Sequence, residues 1–157
     1  MVLLLILLFF FFTAASHTQD LSSSDQLTGA EVGSIIEAAV KADSSDDYFV
    51  VVVDRAGRLK AIIVGDGISP HNIELAERKA YTARTFGRTS IEWAQRTETQ
   101  TQGQRSLAKV IPLQGGVPIK VGEETIGGVG LSGAPNGGPQ EDACGKAGIA
   151  KVADQLK

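Results

Sequence analysis

The stretch "ELAERKAYTARTFGR", Glu74 to Arg88, reads as a helix stripped of bulk along one side. Ala76, Ala80, Ala83 and Gly87 follow one another at spacings of four, three and four, so they share one helical face. Small side chains let a partner come close to the helix backbone. A sheet, a second subunit and a flat ligand all qualify. A second stretch, "TIGGVGLSG" (Thr125 to Gly133), has glycines inside a strand pattern, which marks close approach of another backbone or of a flat group. The two stretches are expected to meet, either directly or with a flat group at their junction.

Working outward, "LTGAEVGSIIEAAVKAD" is a first helix. Thr28 and Glu31 have capping-box spacing, and Val32, Ile35, Ile36 and Ala39 form one apolar stripe. "YFVVVVD" is a strand buried on both faces, and "DRAG" turns it into a returning strand, "RLKAIIVG". The loop "GDGISPHN" ends with Ser69 as N-cap and Pro70 in the first helical position. The small-faced helix then runs from His71 to Phe86, stopped by Gly87. Ser90 to Gln104 reads as a polar, mobile excursion with at most a short helix around "IEWAQR". Three strands follow, "LAKVIPL", "VPIKV" and "TIGGVGLSG". After the loop "APNGGPQ", a last helix spans Glu141 to Leu156, with Ala143, Ala147, Ala150 and Ala153 small on one side. Short hairpin links favour an antiparallel arrangement. The expected fold is therefore α+β, a five-stranded antiparallel sheet flanked by helices.

The chain has 157 residues and suggests one domain. Val2 to Phe12 is an unbroken apolar run, too short for a helix that must cross a bilayer with about 20 residues. With the small residues of "TAAS" behind it, the run reads as a secretory signal peptide over residues 1–16. An uncleaved amino-terminal anchor is the other reading, since no Lys or Arg precedes the run. Residues 17–26 are polar and Ser-rich, a disordered lead-in, and residues 27–157 form the domain. The expected protein is secreted, with no stable membrane span after cleavage. A net charge of −3 without a basic block argues against nucleic acid as a partner. The single cysteine, Cys144, rules out an internal disulfide, so stability must come from packing or assembly.

Four stretches, "VVVVDRAGRL", "ERKAYTARTFGR", "PLQGGVPIKVGEETIGGVGLSG" and "QEDACGKAGIAKV", together resemble the GlcG/HbpS-like family of haem-binding or haem-degrading domains. That family is related to the C-terminal domain of corrinoid adenosyltransferases of the PduO type. The resemblance covers nearly everything from Thr28 to Lys157. It implies a profilin-like fold, homo-oligomers, and binding of haem or a related tetrapyrrole.

Candidate site residues follow from the residues read beside that resemblance. His71 opens the small-faced helix and could supply a haem iron with an axial imidazole; the alternative is an exposed residue at a helix start. Glu74 and Glu77 sit one turn apart and could share ferric iron, as pairs in exported family members are described to do. A plain Glu74–Arg78 surface ion pair is the simpler reading. Lys79 and Thr82 lie in the family's "KAYTA" pattern. There Lys79 could meet a haem propionate or a substrate carboxylate, or else pair with Asp54. The amides of Gly115 and Gly116 could face a ligand anion, or form only a hairpin turn. Gly128, Gly130 and Gly133 spell G-x-G-x-x-G, but no helix follows them at once, so a dinucleotide site is rejected. Gly128 and Gly130 instead line the expected slot for a flat tetrapyrrole. Cys144 reads as a buried small residue, and with His71 the sole histidine of the folded part no Ser-His-Asp set is available. The leading expectation is an exported haem-binding protein with slow haem degradation and iron binding. The rival is an oligomeric sensory or structural module that binds a small carboxylate or a partner protein.

Overall fold

A computed structural model describes residues 26–45 and 48–157. The expected signal peptide lies outside the described residues, as does all of the expected lead-in except Gln26. Helix α1 (Gly29–Asp43) starts on the Thr28/Glu31 capping box, in which Thr28 N donates to Glu31 Oε2 at 2.7 Å and Glu31 N donates to Thr28 Oγ1 at 3.2 Å. Strands β1 (Phe49–Asp54) and β2 (Leu59–Val64) form the expected hairpin. At its turn the Asp54 carboxylate accepts from Ala56 N, Arg58 N and Arg58 Nε.

Helix α2 (His71–Phe86) follows. It covers the expected span, but the N-cap position falls on Pro70 and not on Ser69, which offers its carbonyl rather than its hydroxyl to Asn72 N. Gly87 ends it in the left-handed region, φ 63°. Helix α3 (Ser90–Thr99) and a 3₁₀ turn (Gln102–Ser106) come next, then strands β3 (Gly116–Val121) and β4 (Glu124–Ser132) and helix α4 (Gly138–Ala150).

The sheet has four strands in the order β2-β1-β4-β3, every neighbouring pair antiparallel. The expected fifth strand, "LAKVIPL", does not form. Pro112 has no N–H to give a ladder. Its neighbours are held by helix side chains instead, with Arg78 Nη2 donating to Val110 O at 2.7 Å and Ile111 N donating to Thr82 Oγ1 at 2.9 Å.

The stretch expected to be a mobile excursion is mostly helix α3. A second capping box, Thr89/Glu92, starts it, and Trp93 anchors it at 1% exposure. The last helix is shorter than expected and gives way to turns after Ala150; Ala143, Ala147, Ala150 and Ala153 all face outward. Among the described residues, no helix is long and apolar enough to cross a membrane.

The two faces of the sheet are packed differently. Val50 and Val52 of β1 and Val129 and Leu131 of β4 meet the Val32–Ile35–Ile36–Ala39 stripe of α1, together with Cys144 of α4. Phe49, Val51 and Val53 point the other way, toward Ala76 and Ala80 of α2. Alternation along each strand sends successive side chains to these two layers.

Candidate functional site

The junction of α2 with β4 is where sequence placed a slot, and it is closed, as is the adjoining contact of α2 with β3. A Cβ added to Gly130 would lie 2.0 Å from Ala76 O and 2.5 Å from Ala80 N. At Gly128 it would lie 2.4 Å from Ala80 O, and at Gly116, 2.2 Å from Lys79 O. Helix backbone therefore rests directly on strand backbone, and the small residues on both sides exist for that contact. Gly128 and Gly130 line no opening for a flat ligand in this chain.

Lys79 is buried in the same seam. Its Nζ donates to Glu141 Oε2 at 2.7 Å, to Leu131 O at 2.9 Å and to Ser132 Oγ at 3.3 Å, so all three of its donors are used. The partner is Glu141 of α4, and not Asp54, which is held within its own hairpin turn. Burial pushes the Glu141 carboxyl above the usual carboxylate range, while the Lys79 charge and bond and the Gly133 N–H pull it back. Ser132 Oγ donates onward to Asn72 Oδ1 at 2.7 Å, which ties β4 to the start of α2. Thr82 is fully buried as well. Its hydroxyl donates to Arg78 O at 2.8 Å and receives Ile111 N.

The loop amides are likewise occupied. Gly115 N donates to Asp142 Oδ1 at 3.0 Å and Gly116 N to Ser90 Oγ at 2.9 Å. Lys79, Thr82, Gly115 and Gly116 thus form one internal network that staples α2, α4 and the 114–116 loop to the sheet, and their polar atoms offer nothing to a ligand. Sequence reading missed the acceptors, Glu141 and Asp142. Two adjacent carboxylates opening a helix that is otherwise Ala/Gly-rich are the signal that could have found them, because buried carboxylates are paired. Cys144 is buried as expected, and its thiol is pushed up to about 11 by burial and by the Asp43 and Glu141 carboxylates.

The remaining candidates lie on the outside of α2. His71 is exposed on the first turn. Glu74 and Glu77 are exposed one and two turns on, with Glu74 Oε1 accepting from Arg78 Nη1 at 3.0 Å in the expected ion pair. Glu74, Glu77, Arg78 and Tyr81 line one side of a shallow depression of about 210 Å³, and Ala108 and Lys109 line the other. Lys109 Nζ stands 5.5 Å from the centre of the Tyr81 ring. Among the described residues, no three His, Cys, Asp or Glu side chains converge as metal ligands would, so His71, Glu74 and Glu77 form no closed metal centre. Two further depressions measure about 240 and 170 Å³. Pockets that enclose an organic ligand run to about 300–1,000 Å³, so no depression described in one chain would enclose a tetrapyrrole.

The family model "Haem degrading protein HbpS-like" matches residues 27–150. The chain belongs to the HbpS-like family. Among solved structures, HbpS is 32% identical, with 87% of this chain and 96% of that one covered and a TM-score of 0.77. A Streptomyces reticuli HbpS variant, carrying two glutamate-to-aspartate changes three positions apart, is 31% identical over 79% of this chain and 85% of that one, TM-score 0.74. A PduOC:heme complex shares the fold at 23% identity over 80% of this chain and 94% of that one, TM-score 0.73. No curated protein matches the chain. The expected HbpS-like family is thereby met, and its α+β fold is present with four strands rather than five.

Proposed function

We propose that this HbpS-like chain is an exported haem-binding protein that holds haem on an outer surface, completed by a second copy of itself. The observation that carries the reading is the family match across residues 27–150. Packing supports the location. The α2–β4 seam is closed by backbone contact and the described depressions are too small, so a tetrapyrrole must lie outside the seam and gain its remaining cover from another protomer. The exposed imidazole of His71 is the axial donor this surface offers. When bound, haem supplies the oxygen chemistry of slow degradation itself, and the chain need only hold it.

Ferric iron is assigned to Glu74 and Glu77. They are the single pair of glutamates three residues apart in the sequence, the spacing of the two glutamates altered in the Streptomyces reticuli HbpS variant. A hard cation would have to draw Glu74 away from Arg78, which predicts weak binding.

Titrating the purified chain with hemin tests the reading. A saturable Soret band at micromolar hemin is expected, weakened in His71→Ala, with ferric iron uptake lowered in Glu74→Ala/Glu77→Ala. A spectrum that only grows in proportion to added hemin rules out the haem site.

A further inference from the structure

At the far end of α2, the side chains that line a shallow depression leave only hydrogen-bond donors unused. Phe86, the last residue of α2, stacks on Trp93 of α3, with ring centroids 5.0 Å apart and planes 19° from parallel. Gly87 reverses the chain, and the Thr89/Glu92 capping box restarts it as a helix. This brings Arg88 and Arg96 beside the aromatic pair. With Gln104 of the 3₁₀ turn, these residues line a depression of about 170 Å³.

The donor inventory is specific. Arg88 uses only Nε, on Phe86 O at 3.4 Å, which leaves both terminal nitrogens. The Arg96 guanidinium has no partner among the described residues. Gln104 receives Trp93 Nε1 on its Oε1 at 3.1 Å and Thr101 Oγ1 at 3.3 Å. An indole N–H can only donate, so the Gln104 amide is fixed with Oε1 toward Trp93 and its NH₂ left over. No carboxylate lines the depression. Glu92, an acid of α3, is held by the side chain and backbone of Thr89. Those bonds, together with the charges of Arg88 and Lys146, hold its carboxyl below the usual range despite partial burial. Glu98, further along α3, leans toward Arg105 at 3.9 Å. Glu92 offsets part of the Arg88 charge, and Arg96 remains without an ion-pair partner among the described residues.

The geometry points to a carboxylate-binding cleft formed by Arg88, Arg96 and Gln104 against the Phe86–Trp93 stack. Planar guanidinium forks match the two oxygens of a carboxylate, and the aromatic wall takes the apolar carbon beside it. At about 30 Å³ per water-sized group, the space admits roughly five or six such groups, a carboxylate with a short tail and not a macrocycle. Two sources share this chemistry, a free small organic acid and the propionate arms of a haem lying outside the cleft. The second source rests on the haem reading above, and the first does not.

Trp93 is the only tryptophan of the chain, so with small acids its emission reports this site, and hemin binding is followed by the Soret band instead because haem quenches indole emission from a distance. The full chain is titrated with propionate and with butyrate at constant ionic strength, with phosphate and chloride alongside, and separately with hemin and hemin dimethyl ester. The cleft predicts a saturable change in Trp93 emission with the small acids, weakened at least tenfold in Arg96→Ala and unchanged in Lys41→Ala, an exposed position on α1. Circular dichroism checks that both variants are folded. Tighter binding of hemin than of its dimethyl ester, with the difference abolished in Arg96→Ala, assigns propionates as the natural source. Equal binding of the two, with the small acids still saturating, assigns a free acid. An emission change that never saturates, phosphate binding as tightly as the carboxylates, or Arg96→Ala titrating like the unaltered chain overturns the assignment.

Discussion

The two faces of the sheet reach the same density by opposite means. On the α1/α4 face, Leu131, Val129, Val52 and Ile35 fill space with apolar bulk. On the α2 face, Gly116, Gly128 and Gly130 clear space so that helix backbone touches strand backbone, and one buried ion pair with its bonded neighbours fastens the contact. The first face is governed by the area it removes from water, the second by steric clearance and by satisfied polar groups. Glycine inside a strand, which weakens an ordinary sheet, is here the condition for the helix to dock.

The contrast breaks most sharply at Lys79–Glu141. Replacing one partner, as in Lys79→Met, strands a buried carboxylate and is expected to cost about 3–5 kcal/mol in urea unfolding, whereas Lys79→Met/Glu141→Leu recovers much of that loss. If the single and double variants lose the same amount, the pair is not the fastening it is taken for here.

Neighbouring positions of β4 give the next test. Leu131→Ala removes bulk from the apolar face and is expected to cost about 3 kcal/mol. Gly130→Ala adds one methyl to the other face and is expected to cost about as much, because its Cβ meets backbone that cannot move aside. A neutral Gly130→Ala would mean that the seam has slack.

The smallest effect is a pH dependence. The Cys144 thiol is raised from its usual 9.0 to about 11 in the fold, so the unfolded chain releases its proton first. The contribution of this group to stability is complete below about pH 9 and is lost as the pH rises from there through 11. Cys144→Ala should flatten that loss, and thiol reagents should react slowly with the folded chain at pH 8.

Much of this architecture was legible in sequence. Local rules fixed both ends of α2 to within a residue, the Thr28/Glu31 cap and the β1–β2 hairpin, because caps, left-handed glycines and strand alternation act over a few neighbouring residues. The Ala/Gly face was also read correctly as a close-approach surface toward the glycine-lined strand, with direct contact and an intervening flat group left as alternatives. Spacing shows that Gly130 needs room; it does not show whether backbone or ligand fills it. Residues 107–113 looked like a strand by composition and were overridden by Arg78 and Thr82, partners some 30 positions away in the chain. Lys79, Gly115 and Gly116 carried ligand-like donors whose acceptors, Glu141, Asp142 and Ser90, came from distant segments, and the Thr82 hydroxyl was taken up by the distant Ile111 N–H. Arg88 and Arg96 stood in plain view, but only the fold brings them to one aromatic pair.

Haem held outside the closed α2–β4 seam should leave that seam's amides untouched, which hydrogen exchange on the full chain with and without saturating hemin can read. Slowed exchange is expected around the exposed turns of α2 that carry His71, Glu74 and Glu77, with the amides of Gly128 and Gly130 exchanging as before. Faster exchange at Gly128 and Gly130 on adding hemin, with slower exchange absent from the outer turns, would show the seam opening around the ligand and contradict that placement.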